Sequence, residues 1–163
     1  MKVPSIITVL TATVFVEAAP RVERQAGPPA VSALNALLPQ FGITAGQDRD
    51  RLQGGSCGGI NQAGAAVPIP CNCPPDRDAF LAKLSAALAV GKVRVPNPAN
   101  NNNTVEFPIS FSLTAPANDP QANRVRANAA LTVLQNFNGQ FGSGCPAVSV
   151  PNFQRMQLTG TRA

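Results

Sequence analysis

Apolar and polar positions alternate with different periods along this chain. Residues 30–38 put Val31, Leu34, Leu37 and Leu38 on one helical face, with Ser32 as a candidate cap and Pro39 as the stop. Residues 40–70 have no sustained period and are punctuated by seven glycines, so they read as a long loop. Residues 74–89 are the clearest helix. Pro75 falls near its first turn, Asp76 and Asp78 sit at the positive end of its dipole, Phe80, Leu81, Leu84 and Leu88 form a stripe, and Gly91 ends it. Val93 and Val95 then open a hairpin whose connection is the asparagine-rich run 100–103. Its second strand alternates Val105, Phe107, Ile109, Phe111 and Leu113 inward with Glu106, Pro108, Ser110 and Ser112 outward. Pro108 cannot donate a ladder bond, which puts this strand at an edge or beside a bulge.

Asp119 and Pro120 form a good cap and first residue for a long helix reaching about residue 137. Val125, Leu131, Leu134 and Phe137 are expected inside with Ala127 and Ala130 in close contact, while Arg124 and Asn128 face water. No clear pattern follows Val148, and residues 157–163 read as a frayed tail. Together these elements predict an α+β fold: two main helices and a short one packed on a β-hairpin, loop-rich, with two disulfides.

The opening run changes the compartment. Met1-Lys2 is positive, residues 3–16 are uncharged and mostly apolar, and Val16-Glu17-Ala18 ends in small residues. This is the layout of a secretory signal with cleavage after Ala18, and Glu17 closes the run short of the ~20 residues of a spanning helix. No later stretch is long and apolar enough to span a bilayer. Residues 19–29 read as a flexible leader; cleavage after Arg24 would leave an N-terminal Gln25, and an unprocessed tail is the alternative. Residues 30–163 are then a single disulfide-stabilised domain, long enough to bury a real core.

Export makes the cysteines structural. Cys57, Cys71, Cys73 and Cys145 are an even set, the signature of a disulfide framework. A Cys71–Cys73 bond would close a tight, strained ring and ranks last. Two pairings are left: Cys57–Cys71 with Cys73–Cys145, or Cys57–Cys73 with Cys71–Cys145. The first is preferred, because its long bridge would tie the start of one helix to the chain after another. A redox pair at Cys71-Asn72-Cys73 is disfavoured, since no charged group adjoins it. Zinc is disfavoured too, because the spacing lacks paired C-x-x-C units.

Composition narrows the function classes. The chain has no histidine, tryptophan or tyrosine. Catalysis by Ser-His-Asp or Cys-His is therefore excluded, as are copper sites that need histidine. Two carboxylate pairs, Asp48 with Asp50 and Asp76 with Asp78, leave a hydrolase open, but a glycosidase cleft is usually lined by Trp or Tyr. Calcium at Asp48-Arg49-Asp50 lacks spaced oxygen ligands, so neither metal nor cofactor is expected. From Gln25 onward ten basic residues face six acidic ones, scattered and without a basic stripe or stacking aromatics, which argues against nucleic acid. A sugar-binding module is disfavoured because every phenylalanine can be assigned to the signal, the core or loop packing. Asn102-Asn103-Thr104 is an N-glycosylation sequon in the predicted turn.

Three blocks resemble a known group: Phe41-Gly42-Ile43-Thr44-Ala45-Gly46-Gln47, Ile69-Pro70-Cys71-Asn72-Cys73-Pro74-Pro75-Asp76-Arg77, and Gly144-Cys145-Pro146-Ala147-Val148. With the four-cysteine spacing they resemble small secreted proteins of filamentous fungi, and in particular the cell-death-inducing apoplastic effectors. The resemblance covers about residues 31–150. It implies a non-enzymatic virulence protein, recognised in the host apoplast by a plant plasma-membrane receptor or cell-surface component. It carries over no catalytic residue, and only Cys57, Cys71, Cys73 and Cys145 as structural ones. The chain departs from the four-cysteine cerato-platanins in lacking all Trp and Tyr. A wall-associated structural protein of the producing fungus and a carboxylate-dependent hydrolase are the alternatives. Receptor and oligomeric state are not expected from sequence.

Overall fold

The computed structural model describes residues 27–45, 56–61 and 63–162. The signal peptide, the leader up to residue 26, the cleavage after Arg24 and the Asp48/Asp50 pair lie outside the described residues. Among the described residues the architecture is mixed α+β, with four helices, two small antiparallel sheets and two disulfides.

Helix α1 spans Val31–Leu37 and buries Leu34, with Leu38 buried at its end. The expected Ser32 cap is not used. Ala30 stands at the cap position without a side-chain bond, and Val31 is turned outward. Pro29 just before it is buried, and its carbonyl accepts the Ser85 hydroxyl at 2.7 Å.

Part of the expected loop over residues 40–70 is a three-stranded meander. Strands β1 (Ile43–Ala45), β2 (Cys57–Asn61) and β3 (Ala66–Ile69) pair antiparallel in that order. Gly59 faces Ala45 on one side and Val67 on the other. A Cβ there would come within 2.6 Å of Ile69 Cδ1 and 2.7 Å of Ile43 Cγ2, so the glycine lets two isoleucines close over the strand. The residue that suggested a loop is thus a close-packing device. The β2–β3 turn is held by Asn61, whose side chain accepts from the Ala63 and Ala65 amides.

Helix α2 (Arg77–Val90) begins later than the prolines suggested. Asp76 is the cap, its carboxylate accepting the Ala79 amide at 2.9 Å, while the Cys73–Pro74 peptide bond is cis and Pro74-Pro75 lie before the helix. Phe80, Leu81 and Leu84 are buried as expected, and Gly91 closes the helix with φ 75°. Strands β4 (Lys92–Asn97) and β5 (Asn103–Pro108) form the hairpin, with Val95 opposite Val105 and Val93 opposite Phe107. The strand expected to run to Leu113 stops at Pro108. Ile109, Phe111 and Leu113 still pack on the core, but the backbone leaves the ladder there.

Helix α3 (Pro120–Gln135) starts as expected: the Asp119 carboxylate accepts from Gln121 and Ala122, and Pro120 is the first residue. It ends two residues before Phe137. Ala127, Ala130, Leu131 and Leu134 are buried, Val125 is half-buried, and Arg124 and Asn128 are exposed. The residues read as an unpatterned, frayed tail contain a fourth helix, α4 (Pro151–Thr159), packed along α3. Phe153 and Met156 are fully buried. Gly160 ends the helix in the left-handed region at φ 75°, where a Cβ would strike Pro120. At the centre, Phe41, Phe80 and Phe153 meet with ring centroids 5.5 to 5.7 Å apart, so segments from both ends and the middle of the chain share one core.

Candidate recognition surface

All four cysteines are bonded, as Cys57–Cys71 and Cys73–Cys145, the preferred pairing. The two neighbours of the C-x-C run go to different partners, so they form no redox dithiol and offer no thiolate to a metal. Cys57–Cys71 fastens the start of β2 to the end of β3, while the buried Cys73–Cys145 ties the segment before α2 to the segment after α3.

The second bridge anchors the loop 136–145. This loop is held by backbone bonds: Gly144 N–H to the Gln135 carbonyl and Cys145 N–H to the Leu134 carbonyl, both at 2.8 Å. Gly144 is required for that closeness, because a Cβ there would lie 1.8 Å from the Leu134 oxygen. Asn136 is buried and serves both sides, donating to the Thr132 carbonyl and accepting from the Gly142 amide. Lys83 donates to the Phe137 carbonyl and lies 4.2 Å from that ring's centroid, a cation–π contact from α2 to the loop after α3. Finally, the Phe141 amide donates to the Pro96 carbonyl of β4 at 2.9 Å, binding the loop to the hairpin.

The outcome is an open groove of about 550 Å³ between loop and hairpin. Phe107 of β5 and Phe141 of the loop are its aromatic wall. Their rings are nearly parallel, 8° apart in plane and 5.8 Å between centroids. Pro146 and Ala147 continue the apolar lining, and Gln135 contributes an exposed amide. Phe141 is 47 % exposed and Val148, just past Ala147, 48 %. Phe141, one of the phenylalanines assigned to the signal, the core or loop packing, sits in a loop and stacks on Phe107 while leaving about half of its surface outward. A mainly apolar cleft with few polar groups and a fixed aromatic pair is the composition of a ligand or partner site.

The other predicted positions do not converge on it. Asp76 is committed to capping α2, and Asp78 lies in the helix's exposed first turn. Between them, Arg77 turns inward. Its guanidinium lies 5.1 Å from the Phe41 ring centroid and bonds to the Asn35 side chain; burial pulls its pKa down, and Asp78 opposes that shift. Asn102 is at the exposed tip of the β4–β5 hairpin. No protein family, curated protein or solved structure matches this chain in comparison.

The sequence reading also missed a buried cation. Arg126, on α3, is fully buried and reaches the carbonyls of Ser112, Ala115 and Pro116 and the side chain of Asn123. Burial pulls its pKa down, Asp119 pushes back up, and Arg162 adds to the lowering. β5 ends where its partner does, since Lys92, the first residue of β4, pairs with Pro108; further on, the carbonyls of Ser112, Ala115 and Pro116 go to Arg126.

Proposed function

We propose that this protein is a secreted effector of a filamentous fungus that elicits plant cell death or immune signalling by extracellular binding, without catalysis. The observation that carries the binding part is the Phe107–Phe141 groove, a mainly apolar surface built beside the Cys73–Cys145 bridge. A ring whose backbone amide is tied to the hairpin and whose face stacks on Phe107 has less freedom to lose when a partner covers it, which favours recognition. Two complete disulfides support an oxidising destination. Among the described residues no helix is long and apolar enough to cross a membrane. The partner is a plant plasma-membrane receptor or another cell-surface component.

The test is infiltration of leaf tissue with purified, oxidised protein, beside Phe141→Ser protein of equal stability. The wild type is expected to cause death or immune output outside the cell, and the variant to lose most of it. Silence from folded wild-type protein across several plant species would overturn the elicitor reading and favour a wall-associated role. An undiminished response from the Phe141 variant would remove the groove from the mechanism.

A further inference from the structure

The hairpin tip carries chemistry that groove recognition does not use. Residues 100–103 are all asparagine, yet only Asn102 has a hydroxyl residue two positions on, Thr104, with no proline between. The turn is built by other residues. The Asn97 side chain accepts the Ala99 amide at 3.0 Å, and the Asn97 carbonyl accepts the Asn102 amide at 3.0 Å. Asn101 and Asn102 both take the left-handed conformation that asparagine tolerates, at φ 49° and 57°. Asn101 meets that backbone demand without a sequon. The Asn102 side chain is exposed and has no hydrogen-bond partner among the described residues, and Thr104 is exposed as well.

We propose that Asn102 is an N-glycosylation site and that its glycan stands on the flank of the groove. This rests on the export reading above, since the modification takes place in the secretory pathway. Attachment joins the asparagine amide nitrogen to the first sugar of a lipid-linked oligosaccharide and releases the lipid pyrophosphate. Neither the β4–β5 ladder nor the turn uses that nitrogen, so a chain modified before it folds can still close the hairpin. The position beside the groove follows from register. Thr104 pairs with Pro96, and the Pro96 carbonyl holds the Phe141 amide. Asn102 is two residues from Thr104, roughly 7 Å at the rise of an extended chain.

The full chain with its own leader, expressed in a eukaryotic secretory host, provides the test. Wild-type protein from the medium is expected to lose mass on treatment with peptide N-glycosidase, with Asn102 converted to aspartate in the peptide map. Asn102→Gln and Thr104→Val each remove the sequon and are expected to be secreted, folded and unshifted. Wild-type protein in the medium without a glycan at Asn102 would overturn this inference and leave export standing. Protein retained in the cytoplasm and unmodified would overturn both.

Discussion

Arg126 is the residue whose role departs most from its appearance. In the sequence it is one of two arginines in the first half of a helix, with nothing in the pattern to mark it as buried. In the fold its guanidinium satisfies three main-chain carbonyls that would otherwise lie poorly paired over the core. Lysine keeps the charge but not the planar set of donors. Arg126→Lys is therefore expected to lower stability by about 2 kcal/mol, read from denaturant midpoints, by leaving part of this cage unpaired. Glu106 is the opposite case, an exposed carboxylate at 2.7 Å from Lys92 and 2.8 Å from Arg94. The hydrogen bond from Lys92 is the main cause that lowers its pKa, partial desolvation opposes it, and the charges of Arg94 and Lys92 assist. A depressed folded pKa means that the ion pair contributes above the ordinary glutamate value and is lost as pH falls through the lowered one. An NMR carboxyl titration is expected to find Glu106 below the normal range, and Glu106→Gln to flatten the acid side of the stability profile slightly. The effect is small because exposed pairs are well screened.

Among the elements, the two disulfides do unequal work. Cys73–Cys145 joins residues 72 apart, and Cys57–Cys71 residues 14 apart. On loop-closure entropy alone the long bridge is worth about 4 kcal/mol and the short one about 3 kcal/mol. The larger difference is in what each one holds. Paired Ser variants at 73 and 145 are expected to loosen the loop 136–145 and the packing of α2 against α3. Paired Ser variants at 57 and 71 are expected to unravel only the β1–β3 sheet. Hydrogen exchange resolved by segment checks this, with faster exchange confined to strands β1, β2 and β3 in the second case. Helix α4 shows how an element can be half legible. Pro151, the Phe153 and Met156 pair and Gly160 are start, face and stop signals at correct spacing. The helix has only nine residues, too few to stand on propensity, and its formation depends on burial against α3.

For the whole molecule, the groove is a joint product of remote parts. Phe107 arrives on the hairpin, Phe141 on the loop after α3, and the Pro96 carbonyl and the Cys73–Cys145 bridge hold the two together. Because Phe141 is 47 % exposed, its replacement by serine is expected to cost no more than about 1 kcal/mol of stability. Loss of the proposed plant response with an unchanged thermal midpoint would therefore report on recognition. The proposed glycan at Asn102 would add a bulky neighbour to the same side, so response assays compare glycosylated protein with its Asn102→Gln form.

The sequence alone determined those features whose cause is local. Asp119 caps its own helix, Gly91 ends one by taking a positive φ, and the β5 alternation follows from a period of two. The cysteine count and spacing narrowed the bridges to two sets, and the preferred one is present. The tertiary structure decided everything that depends on residues far apart in the chain. It made a close-packed strand of the glycine-rich segment around Gly59, because Ile43 and Ile69 close over the missing Cβ. It buried Arg126 by offering carbonyls from a turn 10 to 14 residues earlier. It brought Phe141 against Phe107, a pairing with no periodic trace in the sequence, because long-range contacts are set by how elements dock and not by the pattern within any one of them.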